Sequence, residues 1–311
     1  MSIPTSIGMD MGKPIEVHIV HAFTQQNEGG NPAGVVLNAD TYTSQQKLQI
    51  ARAVGLSETA FVSSSDCATY KLEFFTPNRQ IAHCGHATVA TFSLLRELGK
   101  VTEGLCSKQT IDGNRDILIK GELAFMQQST PRYQVISTDD SNGADYASLY
   151  ARILQSMGLT EHDLLRDRLP TIVNTGNAFL AIPIIGRECL ANIQPDHEEI
   201  GNISEELDLV GFYPFTLDVQ NTSHAASTRM FAPRYGIGEE AATGTAAGPL
   251  ACLLYTQYNI PGPTLQIEQG VLMEPASPSL IKVELHIQEG QIPSLMVGGR
   301  ARLEKTMAVR I

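Results

Sequence analysis

The residue best suited to proton chemistry is a single carboxylate in an apolar string. Glu58 lies in GLSETAF, at the junction of a predicted helix end and a predicted strand. A carboxylate removed from water binds a proton more readily, so Glu58 could both take and return a proton. An ordinary exposed loop glutamate is the alternative that composition leaves open.

His86 is a second candidate, since histidine titrates near neutral pH and suits proton transfer or hydrogen bonding to a substrate. A histidine with a purely structural hydrogen bond is the alternative. His83, Cys84 and His86 together could suggest a metal site, but this local cluster lacks a fourth ligand and the usual spacing. We therefore expect no metal.

Two glycine-containing turns each precede a segment that is apolar on every face. A helix that starts after such a turn presents free N–H groups and the positive end of its dipole, which suits a carboxylate or phosphate. Two starts could converge on one anionic ligand, although tight turns without chemistry are the alternative. The candidate substrate-binding residues of these turns are Gly85, His86, Thr243, Gly244 and Thr245. The acidic pair Glu239-Glu240, just before the second turn, could bind a substrate amine or hydroxyl, or could be solvated.

An internal repeat links the two turns. Three strings of the first half return in the same order in the second: GNPAGVV as GNAFLAI, FTP as FAP, and CGHA as TGTA. Chance similarity among short strings is the alternative. The repeat predicts two copies of one unit that face each other across a cleft.

The elements that would position these residues are mostly strands. Alternation predicts a strand at Ile15–Ile19 with one face largely polar, a helix from Ser44 to Val54, and strands at Thr59–Val62 and Tyr70–Phe75. Asp112-Gly113 and Lys120-Gly121 are typical of hairpin turns. This order favours an α+β fold.

The two apolar segments after the turns predict buried helices, because a helix without a polar face must be covered on all sides. In a strand-rich domain, a curled sheet would enclose each one. Pro249 suits the first turn of a helix, so the second helix is expected to start near Gly248.

The composition restricts the protein class. The chain has 311 residues, twice a usual domain, and a net charge of −11, which disfavours nucleic acid and anionic membranes as partners. Five cysteines without a CxxC pair favour reduced thiols in the cytoplasm, and the first residues do not predict a secretory signal. No apolar run has the length of a membrane-spanning helix.

The ordered motifs resemble the PhzF-like family of phenazine biosynthesis proteins, in particular a bacterial branch of uncharacterised isomerases. They are GNPAGVVL, LSETAFV, FFTP, CGHATVA, VNTGNAFLAI, GFYPF, RMFAPRYGI, EEAATGTA and VGG. The match runs from about Ile15 to the C-terminus.

The resemblance implies a fold like diaminopimelate epimerase: two pseudo-symmetric domains, each a β-barrel or curled mixed sheet around a central helix. We expect residues 14–127 with 297–311 to form one domain and 128–296 the other. The resemblance also implies that Glu58 is the shuttling acid/base and that His86 contacts the substrate. It implies a small carboxylate substrate, neither metal nor organic cofactor, and a homodimer. In the best-studied members, the reaction moves a proton within dihydrohydroxyanthranilate.

The chain departs from the family at two places. Glu240 stands where the family usually has Asp, and Glu274 replaces a common glycine-arginine step, which puts the phenazine precursor in doubt as substrate. Racemases of this fold use two facing cysteines, but here Cys84 is opposite Thr243, whose hydroxyl is too weakly acidic. The alternatives to a Glu58 isomerase are a non-catalytic metabolite-binding protein and a one-thiol epimerase through Cys84.

Overall fold

The computed structural model describes residues 14–137 and 146–311. The prediction that the first residues carry no secretory signal lies outside the described residues. Helices occupy α1 Ser44–Val54, α2 Gly85–Glu97, α3 Tyr146–Ser156, α4 Arg187–Ala191, α5 His197–Glu206 and α6 Gly244–Gln257. Short 3-10 helices occupy Ala39–Thr41, Glu161–Asp163 and Pro233–Tyr235. None of the helices in the described ranges is long and apolar enough to cross a membrane.

The strands outnumber the helices, as the sequence predicts. They are β1 Ile15–Ala22, β2 Asn31–Val36, β3 Thr59–Ser63, β4 Tyr70–Phe75, β5 Gln80–Ile81, β6 Gly104–Thr110, β7 Gly113–Lys120, β8 Leu123–Ser129, β9 Arg132–Val135, β10 Thr171–Asn174, β11 Ala178–Pro183, β12 Gly211–Thr216, β13 Ala226–Thr228, β14 Thr264–Gln269, β15 Ser279–Gln288, β16 Gln291–Gly299 and β17 Ala301–Val309. The turns between β6, β7 and β8 are the two predicted hairpins.

The strands form two half-sheets with the same pairing pattern. The first runs β17-β1-β2-β3-β4-β6-β7-β8, and the second runs β9-β10-β11-β12-β13-β14-β15-β16. In each, the third and fifth pairings are parallel and the others antiparallel. An antiparallel β8–β16 pairing joins the halves. The α+β fold of two related halves is therefore confirmed.

The strand register aligns the two copies residue by residue. In the first copy the cross-strand neighbours are Gly34, Thr59 and Phe75, and in the second they are Leu180, Phe212 and Phe231. The sequence repeat pairs Gly34 with Leu180 and Phe75 with Phe231, and the register adds the pair Thr59 and Phe212. The predicted domain boundaries, after residues 127 and 296, fall within β8 and β16, the joining strands, and the division at those points stays a prediction.

Each half-sheet curls around one apolar helix without closing into a barrel. Helix α2 contacts β17 at one end of its half-sheet and β8 at the other, and α6 contacts β10, β11, β14, β15 and β16. The first helix residues are buried in both cases. The predicted enclosed helices are confirmed.

The predicted start of α6 near Gly248 is wrong, since the helix begins at Gly244 and contains Pro249 in its second turn. Proline removes one N–H, which deprives the Thr245 carbonyl of its helical partner. The burial of an almost wholly apolar helix outweighs this single lost hydrogen bond.

The face of β1 predicted to be largely polar is mostly covered, although Glu16 on that face is exposed. Val17 and Ile19 pack with Ile50 of α1, whereas Val20, on the opposite face, packs in the core around α2. The register of β1 with β17 shifts between Ile19 and Val20, where β17 has one extra residue. Even His18 is buried. Helices cover the outer face of the second half as well, where α3 and α5 pack over β11 and β12.

Candidate active site

The starts of α2 and α6 face each other at the centre of the molecule. A Cβ atom on Gly85 would lie 3.2 Å from Thr245 Cγ2 and 3.7 Å from Thr245 N. Cys84 and Thr243 precede the two helices at equivalent positions. The turns predicted from the repeat therefore meet, and both present their first backbone N–H groups to the same space.

Glu58 and His86 lie together beside these helix starts. Glu58 directly precedes β3 and is only 7% exposed, and His86, in the first turn of α2, is 4% exposed. His86 Nε2 lies 3.3 Å from Glu58 Oε2, but the two atoms are not aligned for a hydrogen bond, and neither has a hydrogen-bond partner among the described residues. Buried polar atoms of this kind are costly unless a ligand completes them.

Glu240 approaches the same imidazole from the other half of the chain. Its Oε1 lies 3.6 Å from His86 Nδ1, and its Oε2 accepts a hydrogen bond from the Thr243 hydroxyl. Burial raises the pKa of Glu240, and the nearby charge of Glu58 adds to this rise. The His86 ring thus has one carboxylate at each nitrogen.

Asn31 and Gln269 complete the site, and the sequence did not assign them a role. Asn31 Nδ2 donates to Glu240 Oε1 at 2.9 Å and to the Ala242 carbonyl at 2.9 Å, across the cleft. Gln269 accepts from Thr243 N at 3.0 Å and donates to the Glu240 carbonyl at 2.7 Å. Asn31 lies in the GNPAGVVL motif of the resemblance, which was the available signal, whereas Gln269 lies in none of the motifs quoted above.

Cys84 is poorly suited to act as a base. All five cysteines are free thiols, and Cys84 Sγ lies 3.6 Å from His86 Nδ1. Burial raises the pKa of the Cys84 thiol well above its usual value, and the charge of Glu58 raises it further. The thiolate form, which is the nucleophile and the metal ligand, is disfavoured there.

Glu58, Cys84 and His86 each offer one potential ligand atom, and these three atoms lie within 4.8 Å of one another, so the group could hold a metal ion. The fold thus supplies a carboxylate that the sequence cluster lacked, whereas His83 lies apart from the trio, against Lys108. A protonated thiol is a weak ligand. Metal-free function stays a prediction.

The second copy has no acid at the position of Glu58. Since Thr59 aligns with Phe212, Glu58 aligns with Gly211. A Cβ atom on Gly211 would lie 2.3 Å from the Phe231 carbonyl oxygen, so this position takes no side chain. The candidate acid/base therefore belongs to one copy only.

Comparisons with known proteins agree with this architecture. Residues 20–306 match the family model of phenazine biosynthesis-like proteins, PhzC-PhzF. The chain is 30% identical to the Bacillus subtilis uncharacterized isomerase YfhB over 92% of this chain and 96% of that protein. It is 27% identical to a Pseudomonas chlororaphis trans-2,3-dihydro-3-hydroxyanthranilate isomerase over 90% and 94%.

A crystal structure of a PhzF-family phenazine biosynthesis protein from Bacillus anthracis superimposes with a TM-score of 0.84 at 26% identity. It covers 96% of this chain and 100% of its own. The match in sequence spans both half-sheets, from β1 to β17. The chain therefore belongs to the PhzC-PhzF family of phenazine biosynthesis-like proteins.

Proposed function

We propose that this protein is an isomerase in which Glu58 removes a proton from one carbon of a small carboxylate-bearing substrate and returns it at another. The observation that carries the proposal is the asymmetry of the two copies. Glu58 is buried beside His86, and Gly211 takes its place in the second copy. Racemisation needs a base on each face of the carbon, whereas a proton shift needs only one group.

The neighbours of Glu58 suit this role. The N–H groups at the starts of α2 and α6 favour a substrate carboxylate between them. The unpartnered Nε2 of His86 could hydrogen-bond the reacting part of the substrate, and Glu240, held by Asn31, sets the ring from the other side. The names of the relatives from B. subtilis and P. chlororaphis support an isomerase.

The test is solvent exchange in heavy water. Trans-2,3-dihydro-3-hydroxyanthranilate is the first probe, followed by metabolites that raise the melting temperature of the protein. We expect mass spectrometry to detect deuterium in the product with the wild type. Glu58→Gln should reduce exchange at least a hundredfold, since it removes the acid/base.

The matched control is Glu97→Gln, the same change at an exposed position at the end of α2, which should exchange like the wild type. Exchange that persists in folded Glu58→Gln would contradict the proposal. If Cys84→Ser lost exchange while Glu58→Gln still exchanged like the wild type, the Cys84 thiol would be the acid/base instead. Loss of exchange after dialysis against EDTA, restored by Zn²⁺, would indicate a metal enzyme.

A further inference from the structure

A cavity of about 410 Å³ opens beside the two helix starts, away from Glu58 and His86. Its wall includes Thr245, the second residue of α6, and His83, two residues before α2. Apart from Gly176 and Pro293, every wall residue has a polar or charged side chain. Such a surface suits a ligand with polar groups rather than an apolar one.

The repeat relates this cavity to the acid/base side of the cleft. Asn177 on the cavity wall is the counterpart of Asn31, and His83 is the counterpart of Ala242, whose carbonyl accepts a hydrogen bond from Asn31. The cavity and the Glu58 side therefore flank the same pair of helix starts. A substrate held at the helix starts can extend into the cavity.

A fully buried lysine lies behind the cavity wall. Lys108 on β6 is 0% exposed, and its Nζ lies 2.7 Å from Thr88 Oγ1 and 3.2 Å from His83 Nδ1. The Thr88 hydroxyl donates its own hydrogen to the Cys84 carbonyl, so it accepts from Lys108. In the described part of the chain, no carboxylate lies within ion-pair distance of this amine.

The contact with Lys108 favours one tautomer of His83. A lysine amine that donates to Nδ1 leaves the proton on Nε2. Burial holds the pKa of His83 well below its usual value, so the ring is neutral. His83 therefore offers a single donor, Nε2–H, beside the cavity.

The charges around the cavity favour an anion. Arg115 lies on the wall, and the first turn of α6 adds the positive end of a helix dipole. Among the residues that the structure describes, Asp112, in the turn before β7, is the one carboxylate on the wall, and it is exposed. Arg115 and the helix start thus favour an anion in a chain whose net charge is −11.

We propose that the cavity is a binding site for a second carboxylate of the substrate, with His83 Nε2–H and Arg115 as donors and Lys108 as the residue that positions His83. The proposal rests on the proposed function and specifies its substrate class, a dicarboxylate. One carboxylate lies at the helix starts beside Glu58, and the other lies in the cavity.

The experiment compares glutarate, adipate and pimelate with the monocarboxylates pentanoate, hexanoate and heptanoate by isothermal titration calorimetry at low salt. We expect at least one dicarboxylate to bind about tenfold more tightly than the monocarboxylate of equal length, the effect of one good charge-assisted contact. Arg115→Gln and His83→Phe should each reduce this ratio toward one. Equal binding in the wild type, or a ratio that survives both substitutions, would overturn the proposal.

Lys108 is tested by ¹⁵N NMR of histidine-labelled protein. The His83 signals, assigned with His83→Phe, should show the Nε2–H form, and Lys108→Met should shift them toward a mixture of tautomers. An unchanged His83 tautomer in Lys108→Met would overturn the positioning role of Lys108. If Lys108→Met does not fold, the anion site can still be tested with Arg115→Gln, because Arg115 is exposed. The calorimetric experiment measures equilibrium binding and does not depend on catalysis. A preference for dicarboxylates without deuterium exchange would therefore contradict only the proposed proton transfer.

Discussion

Adjacent acids have different roles at the residue scale. Glu239 forms two 2.8 Å hydrogen bonds with the Arg229 guanidinium, which also donates to backbone carbonyls at and just after the end of α4. Glu240 instead faces His86 and Asn31. The sequence indicates an acidic pair, but it could not assign one carboxylate to structure and the other to the site, since successive side chains point in different directions.

Substitution should separate these roles. Glu239→Gln removes a charge from the partly buried pair with Arg229, and we expect a loss of about 3 kcal/mol in the free energy of unfolding. Glu240→Gln should leave stability close to that of the wild type and reduce deuterium exchange at least tenfold. Urea unfolding and the exchange assay measure both variants. A larger stability loss in Glu240→Gln than in Glu239→Gln would contradict this division.

The buried Lys108 should make the free energy of unfolding depend on pH. Burial lowers its pKa from 10.5 to about 7, so unfolding takes up a proton between these values and the folded state gains stability as the pH rises. Lys108→Met lacks this dependence. The unfolding free energy of the wild type relative to Lys108→Met should therefore rise by about 2 kcal/mol from pH 7 to pH 9. A pH-independent difference in urea unfolding would show that the amine is charged when buried.

At the scale of elements, small residues let the two central helices begin side by side. Gly244 lies under the ring of Phe23, where a Cβ atom would be 2.8 Å from Cζ and 3.4 Å from Val297 Cγ1. Phe23 itself has a φ of 62°, an unusual conformation for an aromatic residue that the surrounding packing enforces. The start of α6 is thus fixed by tight packing on three sides, including Gly85.

Gly244→Ala should move this helix start. We expect a loss of about 2 kcal/mol in the free energy of unfolding, because the added methyl group overpacks the contact with Phe23. Deuterium exchange should fall as the N–H groups shift. Gly238→Ala is the control, since its Cβ would meet its nearest atom at 3.7 Å. Equal thermal midpoints for the two variants would contradict the tight packing.

Short sequence motifs and local spacing were enough to predict many of the helices and turns and two residues of the site. Glu58 and His86 stand in short motifs, and the apolar helices and hairpin turns are readable from spacing. Asn31 was missed because its partner, Glu240, is 209 residues away, and only folding brings them together. The contact of Lys108 with His83 was missed for the same reason, and the bulge of β17 opposite β1 has no local signature.

At the scale of the whole molecule, the last strand belongs to the first half. β17 pairs with β1 along its length, from Ile15 opposite Val309 to Ala22 opposite Ala301, and it contacts α2. Strand β9 takes the corresponding edge of the second half. The two halves are therefore linked at β8–β16 and by the chain itself, and the homodimer implied by the resemblance stays a prediction.

Deletion of residues 300–311 should destabilise the first half more than the second. Removal of β17 exposes the edge of β1 and one side of α2 to water. Hydrogen exchange read by mass spectrometry should show a protection loss of at least tenfold in β1 and α2, with β11 and α6 affected less. Uniform protection across both halves would contradict this prediction.

The pairing of β1 with β17 also has a consequence during synthesis on the ribosome. His18 in β1 precedes Thr306, its neighbour in β17, by 288 residues. At about 5–20 residues per second, β1 waits on the order of 15 to 60 s for this partner. The nascent first half spends that interval with an open strand edge, so chaperones that cover such edges should influence the yield of this protein more than its final stability.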